Sequence, residues 1–184
     1  MASTFAIRHA AHQIRQGGII VYPTETVYGL GCDPMNFDAV TDLNLLKQRE
    51  AGKGLILLAH TLALFDNYIE ELPEIDQKKI IDSKQPTSWI VRAKDSLPDW
   101  LTNKQRTLAI RITQHPVVSA LCQQLGQPIV STSANPSGKK TCRNALEAHK
   151  YFHDKVDAIL INDRPLSGQP SVIKRLDNLT TLRP

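Results

Sequence analysis

With 184 residues, 41% of them apolar, the chain can bury one sizeable core and is short for two ordinary domains. Its net charge is +4, from 22 Lys and Arg against 18 Asp and Glu, and its three cysteines (Cys32, Cys122, Cys142) are odd in number and far apart. These features exclude a disulfide framework and a cysteine-paired zinc site, and the longest apolar run, Leu55 to Ala59, is far too short for a membrane span. The N-terminal stretch lacks the basic-then-apolar plan of a signal peptide, so a reduced, cytoplasmic protein with no membrane partner is expected.

In chain order, Phe5 to Gln16 has the spacing of a helix, with Ile7, Ala10, Ala11 and Ile14 on one face, Ser3 as cap and Gly17-Gly18 as stop. Ile19 to Tyr22 is a short β-branched strand closed by Pro23, followed by the hydroxyl- and glycine-rich PTETVYGLG. Phe37, Val40, Leu43 and Leu46 mark a second helix. Gly54 to Ala59 is a continuous apolar strand of the kind buried on both faces. Helices are predicted over Leu62 to Ile69 and Ile75 to Ile81, then strands over Trp89 to Val91 and Leu108 to Ile112, joined by a surface turn. A helix over Val117 to Leu125 precedes the strand Ile129 to Ser131, and another helix covers Asn144 to Val156. Ala158 to Ile161, Val172 to Leu176 and the terminal TTLR are the last strands. Helices alternating with strands, several strands being adjacent near the end, imply a mixed α/β fold: one twisted sheet covered by helices in a single domain.

The stretch Pro128 to Gly138, PIVSTSANPSG, changes abruptly from strand to Ser131, Thr132, Ser133 and Asn135. Such a run is either a polar exit with an Asx or Ser/Thr turn or the mouth of a cleft whose donors meet an anion. A phosphate loop is excluded, because Gly138-Lys139-Lys140 has Ser133 where the first glycine belongs and Lys140 where Ser or Thr belongs. A phosphate site must therefore come from cations and strand-end donors. Lys47 and Arg49 lie at a helix-to-strand turn, and Arg111 interrupts an apolar strand, so it either lines a cavity or pairs with a carboxylate such as Asp33. Lys47 can equally be a surface charge. Arg143, with Lys139 and Lys140, forms a further basic cluster. The i,i+4 pair His149 and His153 has no carboxylate partner, no GxSxG elbow occurs, and Cys122 falls on a helix's apolar face.

Four motifs then occur in order: YPTETVYGLG (Tyr22 to Gly31), KQR (Lys47 to Arg49) before GLILLA, LAIRIT (Leu108 to Thr113) before HP, and STSANPSG (Ser131 to Gly138). Together they resemble the YrdC/TsaC-type threonylcarbamoyl-AMP synthases, in their short single-domain bacterial form, over nearly the whole chain through Ser171 to Ile173. The resemblance implies a YrdC-like domain spanning residues 1–184, with an open twisted sheet of about seven strands and a basic cavity. It also implies a nucleotidyl transfer in which L-threonine, bicarbonate and ATP give threonylcarbamoyl-adenylate and pyrophosphate for tRNA modification. On the matching positions, Lys47, Arg49 and Arg111 are the catalytic cations, Thr24, Ser131 and Ser171 hold threonine, and Ser133, Asn135 and Arg143 hold ATP. Mg²⁺ is expected to accompany ATP, and tRNA and downstream threonylcarbamoyl-transferase proteins are the implied macromolecular partners. Two positions depart from the pattern: Glu50 stands where proline usually follows the KxR arginine, and Gln85 to Ser88 (QPTS) replaces GPxT. The alternatives from the residues alone are a nonenzymatic RNA-binding module and a nucleotide-binding enzyme with a different acceptor.

Overall fold

The computed structural model describes residues 2–48, 54–161 and 166–183. Helix α1 (Thr4–Arg15) begins under Ser3, whose Oγ accepts from the Ala6 amide, and buries Ala10, Ala11 and Ile14. Strands β1 (Ile20–Pro23) and β2 (Tyr28–Gly31) form an antiparallel pair, followed by α2 (Phe37–Leu46) with Asn36 as N-cap. Then come β3 (Ile56–Ala59), a 3₁₀ turn (Leu62–Phe65), α3 (Glu74–Ile81), β4 (Thr87–Arg92), β5 (Thr107–Ile112) and α4 (Pro116–Leu125). The chain continues through β6 (Ile129–Ser133), α5 (Ala145–Phe152), β7 (Ala158–Ile159), β8 (Val172–Arg175) and β9 (Thr181–Arg183).

The nine strands among the described residues form one mixed sheet in the order β7-β1-β2-β6-β3-β5-β4-β8-β9, so the expected open mixed architecture stands, with nine strands where the resemblance implies about seven. One addition, β2, lies inside PTETVYGLG. Two glycines in four residues carry little strand signal, yet Tyr22 packs against both and Gly31 has no room for a side chain. The Tyr22 ring lies over both, and a Cβ on Gly29 or Gly31 would meet it at 3.2 and 2.7 Å. The predicted helix at 62–69 is only the 3₁₀ turn, because the chain there pairs with β4: Glu70 donates to the Arg92 carbonyl (3.1 Å), and Lys94 to that of Tyr68 (3.1 Å). Helix α5 stops at Phe152 rather than Val156, since the Asp157 amide bonds to Ile19 O (2.8 Å) and starts β7.

Period-two alternation gives the sheet two different faces. Val130, Leu57, Ile110 and Trp89 are successive register partners across β6, β3, β5 and β4, and all are buried. Helix α3 packs on this face, where the Trp89 indole donates to Ser83 Oγ (3.1 Å) just beyond the helix. Helices α1 and α4 pack on each other and over β1. The alternate row, Ser131, Ile56, Ala109 and Ile90, lies on the opposite face and forms the floor of a cavity.

Candidate active site

The cavity has a volume of about 320 Å³ and is walled by side chains from distant parts of the chain. Arg111 enters from β5, Ser131 and Ser133 from β6, Thr24 and Thr26 from the β1–β2 loop, Ser171 from the entry to β8 and Arg183 from β9. Of the residues expected from the sequence, Thr24, Arg111, Ser131, Ser133 and Ser171 therefore converge.

Arg111 is 4% exposed. Its Nη2 lies 2.6 Å from Glu25 Oε1, and Nη1 donates to Thr26 Oγ1 at 3.4 Å. The partner is thus Glu25 and not Asp33, because the β1–β2 loop folds over the end of β5. Glu25 Oε2 accepts a hydrogen bond from Thr113 Oγ1 (2.7 Å). Burial works against its charged form, but the Arg111 charge, with the hydrogen bond from Thr113, outweighs that and holds its pKa below the ordinary 4.5.

Thr24 closes its own loop. Its hydroxyl donates to the Val27 carbonyl (2.7 Å) and receives the Thr26 and Val27 amides at 3.2 and 3.3 Å. Ser171 Oγ is 2.9 Å from Ser88 Oγ, and its carbonyl accepts from Arg183 Nε and Nη2 at 3.0 and 2.7 Å. Arg183 is a site residue that sequence motifs do not single out. It appears there only as one of several terminal cations, and its register with Ile173 is what carries it to the wall. Burial, together with the nearby Arg111 charge, lowers its pKa, so two cations share the cavity.

Two of the remaining expected residues, Lys47 and Asn135, lie beside the wall. Lys47, at the end of α2, is 7% exposed, and its ammonium donates to the carbonyls of Ser133 and Asn135 (2.9 Å to the latter) and to Asn135 Oδ1 (3.2 Å). Lys47 is therefore not the surface charge that its sequence context allows: the ammonium holds the β6 exit. Asn135 Nδ2 is spent within that loop on Pro136 O and Lys139 O, and its Oδ1 accepts from Ser133 Oγ (2.7 Å). Arg143 lines a separate depression with Lys140, Glu147, Lys150 and Tyr151. Arg49, like Glu50, lies outside the described residues.

Lys47→Ala leaves several carbonyl and amide oxygens of the 133–135 loop without this donor. A loss of about 1–3 kcal/mol is expected, read as a fall of several degrees in Tm; an unchanged Tm would show that the loop is held by other contacts. Other chemistries find little purchase here. Burial pushes the thiols of Cys32, Cys122 and Cys142 up to about 12, so none is a thiolate at neutral pH. The described residues contain no group of three or more His, Cys, Asp or Glu arranged to hold a metal ion. No helix among them is long and apolar enough to cross a membrane.

A sheet whose one face is core and whose other face is a hydroxyl-lined hollow with two arginines defines an α/β domain built to bind an anionic small molecule. The chain belongs to the Sua5/YciO/YrdC family, whose model, described as "Telomere recombination", matches residues 12–184. It is 42% identical over 185 residues to the threonylcarbamoyl-AMP synthase of Pseudomonas putida strain GB-1, covering 100% of both chains. Among solved structures, P. abyssi Sua5 complexed with L-threonine superposes with a TM-score of 0.89 at 27% identity. That match covers 97% of this chain and 53% of the Sua5 chain, so the chain spans about half of that protein. E. coli YciO matches with a TM-score of 0.86 at 26% identity, over 98% and 89% of the two chains.

Proposed function

We propose that this chain, as one domain over residues 1–184, is a cytoplasmic threonylcarbamoyl-AMP synthase. It combines L-threonine, bicarbonate and ATP into threonylcarbamoyl-adenylate and pyrophosphate. The observation that carries the reading is the convergence of Arg111 and Arg183 on a cavity walled by Thr24, Ser131, Ser133 and Ser171, in a chain of this family.

The chemistry needs such a site. Threonine's amine takes up bicarbonate as an N-carboxylate, with loss of water, and a carboxylate oxygen then attacks the α-phosphorus as pyrophosphate leaves. Nucleophile and electrophile are both anionic, so charge neutralisation and alignment supply the rate, without a protein nucleophile. In this reading Thr24, Ser131 and Ser171 hold threonine, and Arg111 takes a carboxylate. Ser133, Asn135 and Arg143 form the nucleotide side, and Arg49 adds charge to the phosphates. Lys47 serves that side through the loop it holds, and Arg183 joins the expected set as a second cation facing the reacting anions. Mg²⁺ comes with ATP on its phosphate oxygens. The wall offers hydroxyls and cations rather than carboxylates, and the neighbouring Glu25 is committed to Arg111. The product feeds tRNA modification, handed to a downstream threonylcarbamoyl-transferase. The relatives named as synthases favour this reading over an RNA-binding module.

Pyrophosphate release from ATP is expected to require both threonine and bicarbonate, and ATP with threonine is expected to raise Tm more than either alone. Release that ignores threonine, or that proceeds equally with another amino acid, overturns the assignment.

A further inference from the structure

The Arg111 guanidinium has an asymmetry that threonine binding alone does not explain. One side is occupied, by Glu25 at Nη2 and Thr26 at Nη1. Nε is buried and has no hydrogen-bond partner among the described residues, and the Nη2 contact to Glu25 is a charge pair without a directed hydrogen bond. A buried N–H without an acceptor is costly, and the residue that carries it lines the cavity. Glu25 is itself tied down. Thr113 holds its other carboxylate oxygen, and its backbone carbonyl accepts the Ser167 amide (3.2 Å), while Gly168 bonds to the next carbonyl, Thr26 O (2.8 Å). The acid is therefore fixed from two sides and in turn fixes the arginine.

We propose that Glu25 is a positioning residue for the substrate carboxylate: it pins one side of Arg111 so that the guanidinium is held at the cavity wall, and its charge offsets one of the two arginines that meet there. This rests on the threonine reading given above. With Glu25 present, Arg111 and Arg183 together leave one net positive charge for one substrate carboxylate. With Glu25 neutralised, Arg111 loses its anchor and faces Arg183 directly, so the guanidinium turns away. A fork that must be reoriented at each binding event loses the advantage of preorganisation.

Two backgrounds distinguish this role from a scaffolding one. By calorimetric titration with L-threonine, Glu25→Gln should bind at least tenfold more weakly than wild type, whereas Glu25→Asp, which keeps the charge, should recover to within about threefold. In an Arg111→Ala background the sign should reverse. There Glu25 is only an unpaired anion near the carboxylate site, so adding Glu25→Gln should leave threonine affinity unchanged or improve it. A residue that only supports the fold gives a loss in both backgrounds, and that result overturns the proposal. Should Glu25→Gln fail to fold, Thr113→Val, which releases Oε2 alone, takes its place with a three- to fivefold loss expected; unchanged affinity there overturns it too. Wild type that binds no threonine overturns the functional reading and this one with it. Wild type and Glu25→Gln binding equally well overturns only the role of Glu25.

Discussion

Replacing Arg111 with alanine is expected to lower kcat/KM for threonine at least a hundredfold. The guanidinium is 4% exposed, lines the cavity and is paired with Glu25 at 2.6 Å. Truncating one member of such a close charge pair costs about 2–5 kcal/mol, because the remaining charge is left uncompensated and the substrate carboxylate has no guanidinium to meet it. A hundredfold loss corresponds to about 2.7 kcal/mol, near the lower end of that range, which suits a Glu25 side chain still one-third exposed. Arg111→Lys keeps the charge without the planar fork and should recover only a small part of the rate. Steady-state kinetics on variants with native-like circular dichroism would test this; wild-type turnover in folded Arg111→Ala would remove the residue from the site.

The second large effect falls on stability. A Cβ on Gly31 would lie inside contact distance of the Val130 carbonyl oxygen and 2.7 Å from the Tyr22 ring. Neither can yield cheaply. Val130 O belongs to β6 and accepts the Tyr22 hydroxyl at 3.1 Å, and Tyr22 is fully buried between the strands. Gly31→Ala should therefore cost about 3 kcal/mol by overpacking, a fall of roughly 6–12 °C in Tm for a chain of this size. Gly29→Ala is the internal comparison. Its nearest neighbours, the Tyr22 ring at 3.2 Å and Ser131 Oγ at 3.3 Å, need move only slightly. Thermal unfolding of the two variants side by side checks the difference, and equal Tm values would contradict it.

Much of the fold was legible because its signals are local. The α1 face and its Ser3 cap, the apolar β3 and the arginine-interrupted β5 are each written within a few residues and recur in the structure with small shifts at their ends. Strand β2 was not legible, since its glycines answer to Tyr22, a residue on another strand. Nor was the turn at 62–65, which gives up helix to pair with β4. The site divides in the same way. Thr24, Ser131, Ser133, Arg111 and Ser171 carry polar or charged groups where an apolar one would be ordinary, which marks them within their own strands and loops. Glu25 stands out locally only as the acid lodged in the PTET loop, and Arg183 carries no local mark.

What the sequence by itself determined is the alternation of apolar strands and capped helices, hence a mixed α/β sheet, and the placing of hydroxyls and cations at strand ends, because burial and hydrogen bonding select residue types over short windows. What only the tertiary structure decided is which of those groups meet. The strand order brings β5, β6, β8 and β9 to one face, pairs Arg111 with Glu25 rather than Asp33, and turns Lys47 onto the Ser133–Asn135 loop. Charge pairing acts through space between residues up to 86 positions apart, and register, which no short window encodes, sets those distances.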